Sequence, residues 1–374
     1  MKPFVGDLRR LLERLVAIES VNPALVAGGA GEGEIARFVA GWLERNGLEV
    51  ELQELAAGRA NVICRARGSG GGRSLILNAH MDTVGLGGAD GSLTPRVEGR
   101  RLYGRGAYDM KGSLAAVMLA AAEAARRGLA GDVIVTAVAD EEHASIGTEA
   151  IVGALNADAA IVAEPTELRL ALAHKGFVWL EIETRGRAAH GSRYDLGVDA
   201  IALMGPVLIR LGELDERLRE GELHPLLGGG SLHASLIEGG QELSTYPERC
   251  VVKVERRTLP GETPEGVEEQ VRTLTAGLDA SVRRLFARRP LETARDEPIV
   301  AALVQSATGA LGRPPEIVGV PFWTDAALLG AAGIPTAVFG PGGDGAHADV
   351  EWVDLDDVAK TVEVLLATAS EFCS

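Results

Sequence analysis

Four short apolar runs in this sequence each end on an imidazole or a carboxylate. Residues 74–79 run into His80-Met81-Asp82, and residues 133–139 into Asp140-Glu141-Glu142-His143. Residues 159–163 run into Glu164, and residues 336–339 lead through Gly340-Pro341-Gly342-Gly343 to His347. Between the first two lies Gly104-Arg105-Gly106-Ala107-Tyr108-Asp109-Met110-Lys111-Gly112, a glycine-rich loop that sets Asp109 at the start of a predicted helix. Imidazole with carboxylate is the ligand mix suited to zinc and its neighbours. Two imidazoles and three carboxylates exceed what one four-coordinate ion needs. Two ions sharing a bridging carboxylate would use all five, with water or hydroxide completing the bridge. Each segment alone is ordinary, since a His-x-Asp or a Glu-Glu at a strand end is usually a turn or a solvated edge. Their combination is not ordinary: five of the seven histidines (His80, His143, His174, His190, His347) lie in or beside such segments.

These groups can meet only if the strands carrying them end at one edge, as happens in open α/β sheets. Helical spacing of apolar residues predicts helices over 6–18 and 33–46, and an alanine-rich helix over 112–127. Strands are predicted over 48–55, 61–67 and 74–79, with the glycine cluster at 68–72 as a hairpin turn between the last two. A strand over 133–139, a helix over 148–155 and a strand over 159–163 follow. Short all-apolar runs alternating with helices predict an α/β fold: a mixed, largely parallel sheet with helices on both faces.

Near residue 175 the pattern changes. Strands are predicted over 177–184, 232–237, 250–256 and 281–287, with helices over 199–218 and 265–278. That βαββαβ order is the ferredoxin-like arrangement of a small α+β domain. After residue 290 the first pattern resumes, with helices over 297–311 and 355–370 and a strand over 336–339. The expected organisation is a discontinuous catalytic, metal-binding domain (1–175 and 289–374) interrupted by an inserted domain (176–288), with hinges near 174–176 and 288–292.

The chain has 374 residues, 46% of them hydrophobic and 24% charged, which is the composition of an ordinary globular protein. Lys+Arg 37 against Asp+Glu 53 gives a net charge of −16 and argues against nucleic acid or an anionic membrane as partner. Three scattered cysteines (Cys64, Cys250, Cys373) make no disulfide framework and fit a reducing cytoplasm. No run approaches a membrane span, and charges interrupt the apolar residues of the N-terminus, so no signal peptide is expected. Arginine exceeds lysine 32 to 5, as expected of a GC-rich genome or a hot habitat. A nucleotide-binding reading of Gly104-x-Gly106 fails for want of the third glycine, and no G-x-S-x-G elbow for a serine hydrolase exists.

The segments NAHMDTV, GRGAYDMKG, DEEHASIGT, AEPT, HKG, AAHGS, ERRTLPGE and GPGGDGAHADVEWV resemble the M20 metallopeptidase family, in family order from residue 78 to residue 353. The resemblance implies two divalent metal ions per chain, zinc first, with cobalt or manganese as alternatives. His80 and Glu164 would hold one ion, Glu142 and His347 the other, and Asp109 would bridge them. Asp82 would accept the second N–H of the His80 imidazole and fix its tautomer. Glu141 would be the general base. The inserted domain would serve as lid and dimerisation surface. His190 would stabilise the oxyanion, often across a homodimer, and Arg257 would clamp a substrate carboxylate with its planar fork. Because successive strand residues point to opposite sides, Arg256 would face away from Arg257. Glutamate at position 164 resembles the deacylase and carboxypeptidase branch. Ser244 departs from the asparagine common in the family, with a shorter reach. Asp325 falls where relatives carry a loop bordering the substrate pocket; Tyr246, Phe322 and Trp323 could shape an acyl pocket or simply pack. The implied activity is hydrolysis of an N-acyl amino acid, deacetylase- or desuccinylase-like; a dipeptidase or glutamate-type carboxypeptidase is the alternative. The implied partners are therefore small molecules, N-acyl amino acids or dipeptides, in the cytoplasm.

Overall fold

Four strands, Val133–Val138, Leu75–His80, Ala159–Val162 and Thr336–Val338, consist almost entirely of small and branched apolar residues, and every one of their positions is buried. Such runs suit a parallel sheet covered on both faces. A computed structural model describes residues 3–88 and 92–374. In it these four strands lie side by side in the order given, all parallel. Their carboxyl ends therefore share one edge. Arg59–Ala66 and then Glu49–Ala56 extend the sheet antiparallel on one side, and Leu170–His174 pairs antiparallel with Thr336–Val338 on the other.

The chain divides into two compact units. Met1–Leu172, Thr293–Val318 and Thr324–Ser374 form the first; Ala173–Glu292 with Gly319–Trp323 form the second. In the first, helix Gly112–Arg127 is buried along most of its length and packs against helices Leu355–Phe372 and Pro3–Ala17 and the sheet. Helices Ile146–Val152 and Ala326–Ala331 pack on each other. No helix of the described residues is long and apolar enough to cross a membrane.

The expected hairpin at 68–72 is absent. Arg59–Ala66 and Leu75–His80 are not neighbours, because Val133–Val138 lies between them. The glycines there serve close approach instead. A Cβ on Gly68 would sit 2.2 Å from the Ala130 carbonyl oxygen, and one on Gly131 only 1.8 Å from that of Arg73. Several short elements escaped the periodicity, among them the strand Leu170–His174, the helix Ala326–Ala331 and the strands Arg96–Glu98 and Arg101–Tyr103, which join Trp352–Asp354 and Gly343–Asp344 in a separate sheet. Runs of two or three residues carry no readable period.

The second unit is an antiparallel sheet of Ser231–Gly239, Arg249–Thr258, Gly176–Arg185 and Ala280–Arg288, in that spatial order, with helices Ala200–Glu220 and Pro264–Thr275. Asp199 caps the first helix by accepting the Ala202 N–H at 3.0 Å, and Thr263 caps the second. One sheet face carries Val178, Leu180, Ile182, Val252 and Val254 into a core with Met204, Val207, Leu211, Val267 and Val271. The other carries charge pairs such as Arg283–Glu181 and Arg249–Glu183.

Candidate metal centre

The parallel strands and the loops beside them bring the anticipated site residues to one edge. His80 ends its strand, Glu141 and Glu142 follow Val133–Val138, and Glu164 follows Ala159–Val162. Asp109 lies in the turn Ala107–Lys111 that opens helix Gly112–Arg127. His347 stands in a loop at φ +62°. The ligand atoms form two clusters, each within 4.8 Å: His80, Asp109 and Glu164, and Asp109, Glu142 and His347. Asp109 joins them. Its Oδ1 lies 3.2 Å from His80 Nε2 and its Oδ2 lies 3.4 Å from His347 Nε2. His347 Nε2 also lies 2.9 Å from Glu142 Oε2, and His80 Nε2 lies 3.7 Å from Glu164 Oε1.

The field at this edge is strongly negative. Burial, then Glu164, Asp325 and Glu142, push the Glu141 carboxyl well above its ordinary range despite His80. Glu164 is pushed up in the same way, by burial and then by Asp109, Glu142 and Asp325. Burial would depress the His80 imidazole, yet Glu164, Asp109, Glu141 and Asp82 raise it well above its usual value. Hydrogen bonds to Asp109 and Glu142 raise His347 to about 10. Both imidazoles are thus driven to carry positive charge, which is what such a field does with any cation. Glu142 Oε1 is buried with no hydrogen-bond partner among the described residues. The donor set therefore fits a pair of divalent ions bridged by Asp109.

Asp82 acts differently from expectation. His80 Nδ1 is 3.0 Å from the Asp82 main-chain oxygen and 3.6 Å from its carboxylate. That carboxylate instead accepts the N–H groups of Glu141 (3.1 Å) and Glu142 (3.2 Å) and the Asn22 amide (2.8 Å). It holds the main chain that carries the two glutamates. Glu351 plays a similar part for Asp109. Its buried carboxylate accepts from the main chain of Gly106, Tyr108 and Asp109 at 2.8–3.0 Å and from Arg105. Sequence reasoning missed Glu351, although it stands four residues after His347. Asp325 is 1% exposed and accepts the Thr148 hydroxyl at 2.6 Å, an interior group whose charge acts on Glu141 and Glu164.

In the second unit, the loop of Ser244 lies against His190. His190 pairs with Thr245, and Gly191 N–H donates to the Ser244 carbonyl at 2.6 Å. The exposed His190 ring accepts the Ser192 N–H at Nδ1 (3.3 Å), with the Ser192 hydroxyl at 2.8 Å. A neutral ring accepting at Nδ1 carries its proton on Nε2, so Nε2 is a donor. Arg257 lies on the open sheet face, its Nε 2.6 Å from Glu255 and its guanidinium over Phe177. Arg256 is buried on the helical side, bonded to Glu262. Arg257 pairs with Phe177 at one end of the sheet, whereas Arg185, towards His190, pairs with Arg249 at the other. Eight residues of strand separate them, about 26 Å at ~3.3 Å per residue. Trp323 stacks edge-on against Phe177 and His174 and bonds the Arg289 carbonyl, which makes it a packing residue.

The chain is similar to known proteins over its whole length. The acetylornithine deacetylase of Myxococcus xanthus is 32% identical over 394 residues, covering 100% of this chain and 99% of that protein. The acetylornithine deacetylase of Vibrio parahaemolyticus is 28% identical, covering 96% and 97%. Among solved structures, the M20 family metallo-carboxypeptidase Sso-CP2 of Sulfolobus solfataricus superposes with a TM-score of 0.82 at 20% identity, covering 98% of this chain and 99% of that one. The YXEP protein of Bacillus subtilis, a dinuclear metal binding peptidase of the M20 family, gives 0.76 at 17% identity, covering 100% and 99%. The pattern of peptidase family M20/M25/M40 matches residues 76–371, and the chain belongs to that family of metal-dependent hydrolases.

Proposed function

We propose that this enzyme removes the acyl group from an N-acyl amino acid, with acetylated substrates as the nearest class. The observation that carries the reading is Asp109, whose two carboxylate oxygens address two separate His-carboxylate clusters beside Glu141. Whole-length similarity to acetylornithine deacetylases supports the choice of an acyl group over a peptide. His80 and Glu164 would hold one ion, Glu142 and His347 the second, and Asp109 both. Bound there, two divalent ions, zinc by donor chemistry, would polarise the amide carbonyl and lower the pKa of the attacking water towards ~7.

The chain's own groups supply the remainder. Glu141 takes a proton from the attacking water and returns it to the leaving amine. Asp82 holds the Glu141 and Glu142 main chain, so the base and its neighbouring ligand keep fixed directions. The His190 Nε2 proton suits a developing oxyanion, a donation typically worth ~3–4 kcal/mol of barrier. Arg257 anchors the substrate carboxylate and Ser244 contributes a short hydrogen-bonding group. The length of sheet between Arg257 and His190 exceeds a small substrate, which supports a homodimer in which the partner supplies one of them. The exposed apolar residues Ile209, Leu236 and Ile237 on helix Ala200–Glu220 and edge strand Ser231–Gly239 support the same assembly, with the inserted unit as lid and dimer surface. Three buried, unpaired cysteines support a cytoplasmic enzyme.

The test is turnover of N-acetyl, N-succinyl and longer N-acyl amino acids and of dipeptides by zinc- or cobalt-loaded protein, with Glu141→Ala as control. Release of one acyl class, lost in the control, is expected. Cleavage of dipeptides alone would overturn the deacylase reading in favour of a dipeptidase or carboxypeptidase.

A further inference from the structure

Segment 140–142 carries both the proposed base and a proposed ligand, so its main-chain path sets where two functional carboxylates point. Asp140 lies at φ +71°, a left-handed conformation that a residue with a Cβ adopts only when its surroundings hold it there. The surroundings are a buried polar relay. Arg59 donates from Nε and Nη2 to the two Glu32 oxygens, at 2.8 and 2.5 Å, and its Nη1 lies 2.9 Å from Asp140 Oδ1. Glu32 Oε1 accepts the Asp140 N–H at 3.1 Å, closing a ring. Asn22 Nδ2 then donates to Asp140 Oδ1 at 3.0 Å and to Asp82 Oδ2 at 2.8 Å, while Asn22 Oδ1 accepts the Ala24 N–H. Asp82 finally accepts the N–H groups of Glu141 and Glu142. Glu32, Asn22, Asp82 and Asp140 are each no more than 1% exposed, and Arg59 is 9% exposed.

We propose that the relay Glu32–Arg59–Asp140–Asn22–Asp82 aims Glu141 and Glu142, and that Arg59 and Asn22 are positioning residues of the hydrolase although neither reaches the reacting atoms. The relay grips the segment at both ends, at the Asp140 side chain and N–H and at the two following N–H groups. Each member has a chemical reason for its type. Three carboxylates converge, so the centre needs a cation that can bind two of them in a plane, which the guanidinium fork does and an ammonium does not. Asp140 and Asp82 then meet across Asn22, whose uncharged amide nitrogen offers one N–H to each without adding a charge. A buried network of this kind is strong only when complete. With a gap in it, Asp140 keeps only the bonds of its own turn, to the Ala144 and Ile146 N–H groups, and Glu142 turns away from His347 and Asp109.

This inference rests on the reading of Glu141 as base and Glu142 as ligand. Its test uses the full-length protein and compares wild type with Asn22→Ala, Arg59→Lys, Arg59→Gln and Glu141→Ala. Three quantities are read: kcat and KM on the N-acyl amino acid, the affinities of both zinc ions by competition with a chromophoric chelator, and folding by circular dichroism. Asn22→Ala leaves the Arg59 ion pairs in place and is expected to fold. Its kcat should fall about 10- to 100-fold, as should the affinity of the weaker zinc, with KM and the tighter zinc little changed. Arg59→Gln should match or exceed that loss and Arg59→Lys should recover part of it; if Arg59→Gln does not fold, Asn22→Ala and Arg59→Lys decide. Wild-type kcat and zinc affinities in folded Asn22→Ala would overturn the proposal. So would equal weakening of both zinc ions in step with melting temperature, the mark of a merely structural role. Failure of the underlying reading looks different: wild type without turnover, or Glu141→Ala with full turnover, while the zinc affinities still report on Glu142.

Discussion

The two ligand clusters share Asp109 but sit in different surroundings. His80 is 1% exposed and ends a central strand flanked on both sides, and Glu164 is 5% exposed. The His347 side chain is 56% exposed and stands on a loop in left-handed conformation. A ligand at a sheet's interior is placed by its neighbours before any ion arrives. A ligand on an open loop must give up freedom on binding, which weakens affinity for the same donor atoms. One edge of one sheet therefore offers two candidate sites of unequal preorganisation, and the inequality lies in the scaffold, not in the residue types.

The sharpest attack on that comparison is Asp109→Ala, which removes the shared ligand. Zinc content measured by emission spectroscopy should fall from two ions per chain to fewer than one, with turnover at background; retention of two ions would show that the clusters are independent. Glu141→Ala should lower kcat by about 10²–10⁴-fold with both ions retained, since Glu141 belongs to neither cluster. Loss of an ion along with turnover would make Glu141 a ligand. Next come the paired variants His80→Ala and His347→Ala in metal-free protein. Loss of the buried imidazole leaves charged neighbours unsatisfied and should cost about 1–3 kcal/mol in urea unfolding. The half-exposed one, although it too is bonded to Asp109 and Glu142, should cost less. Equal losses would contradict the difference in burial. The smallest effect is kinetic: a dilute chelator should strip the two ions in separate phases, with His347→Ala abolishing the faster phase and leaving the slower.

Much of the site was legible because strand ends are local features. The apolar runs before His80, Asp140, Glu164 and the loop to His347 are short and uninterrupted, and each terminates on the residue that matters. Asp109 announced itself by the glycines around it. Supporting residues were less visible. Glu32, Arg59 and Asn22 lie up to 118 positions from the residues they hold, and nothing in their neighbourhoods marks them as partners of Asp140. The hairpin expected at 68–72 failed for a related reason. Glycines at a turn and glycines where two loops touch read alike in a sequence, and only the insertion of Val133–Val138 distinguishes them.

The sequence by itself determined the family, the α/β class with its α+β insertion, and the identities of the groups at the sheet edge. Residue type and local periodicity carry those properties. Tertiary structure alone decided which atoms meet: that Asp109 faces His80 with one oxygen and His347 with the other, that Asp82 holds main chain more than imidazole, and that Asp325 is interior. Those contacts join segments far apart in the chain. Their distances depend on how strands order within the sheet, a long-range choice that no local pattern encodes.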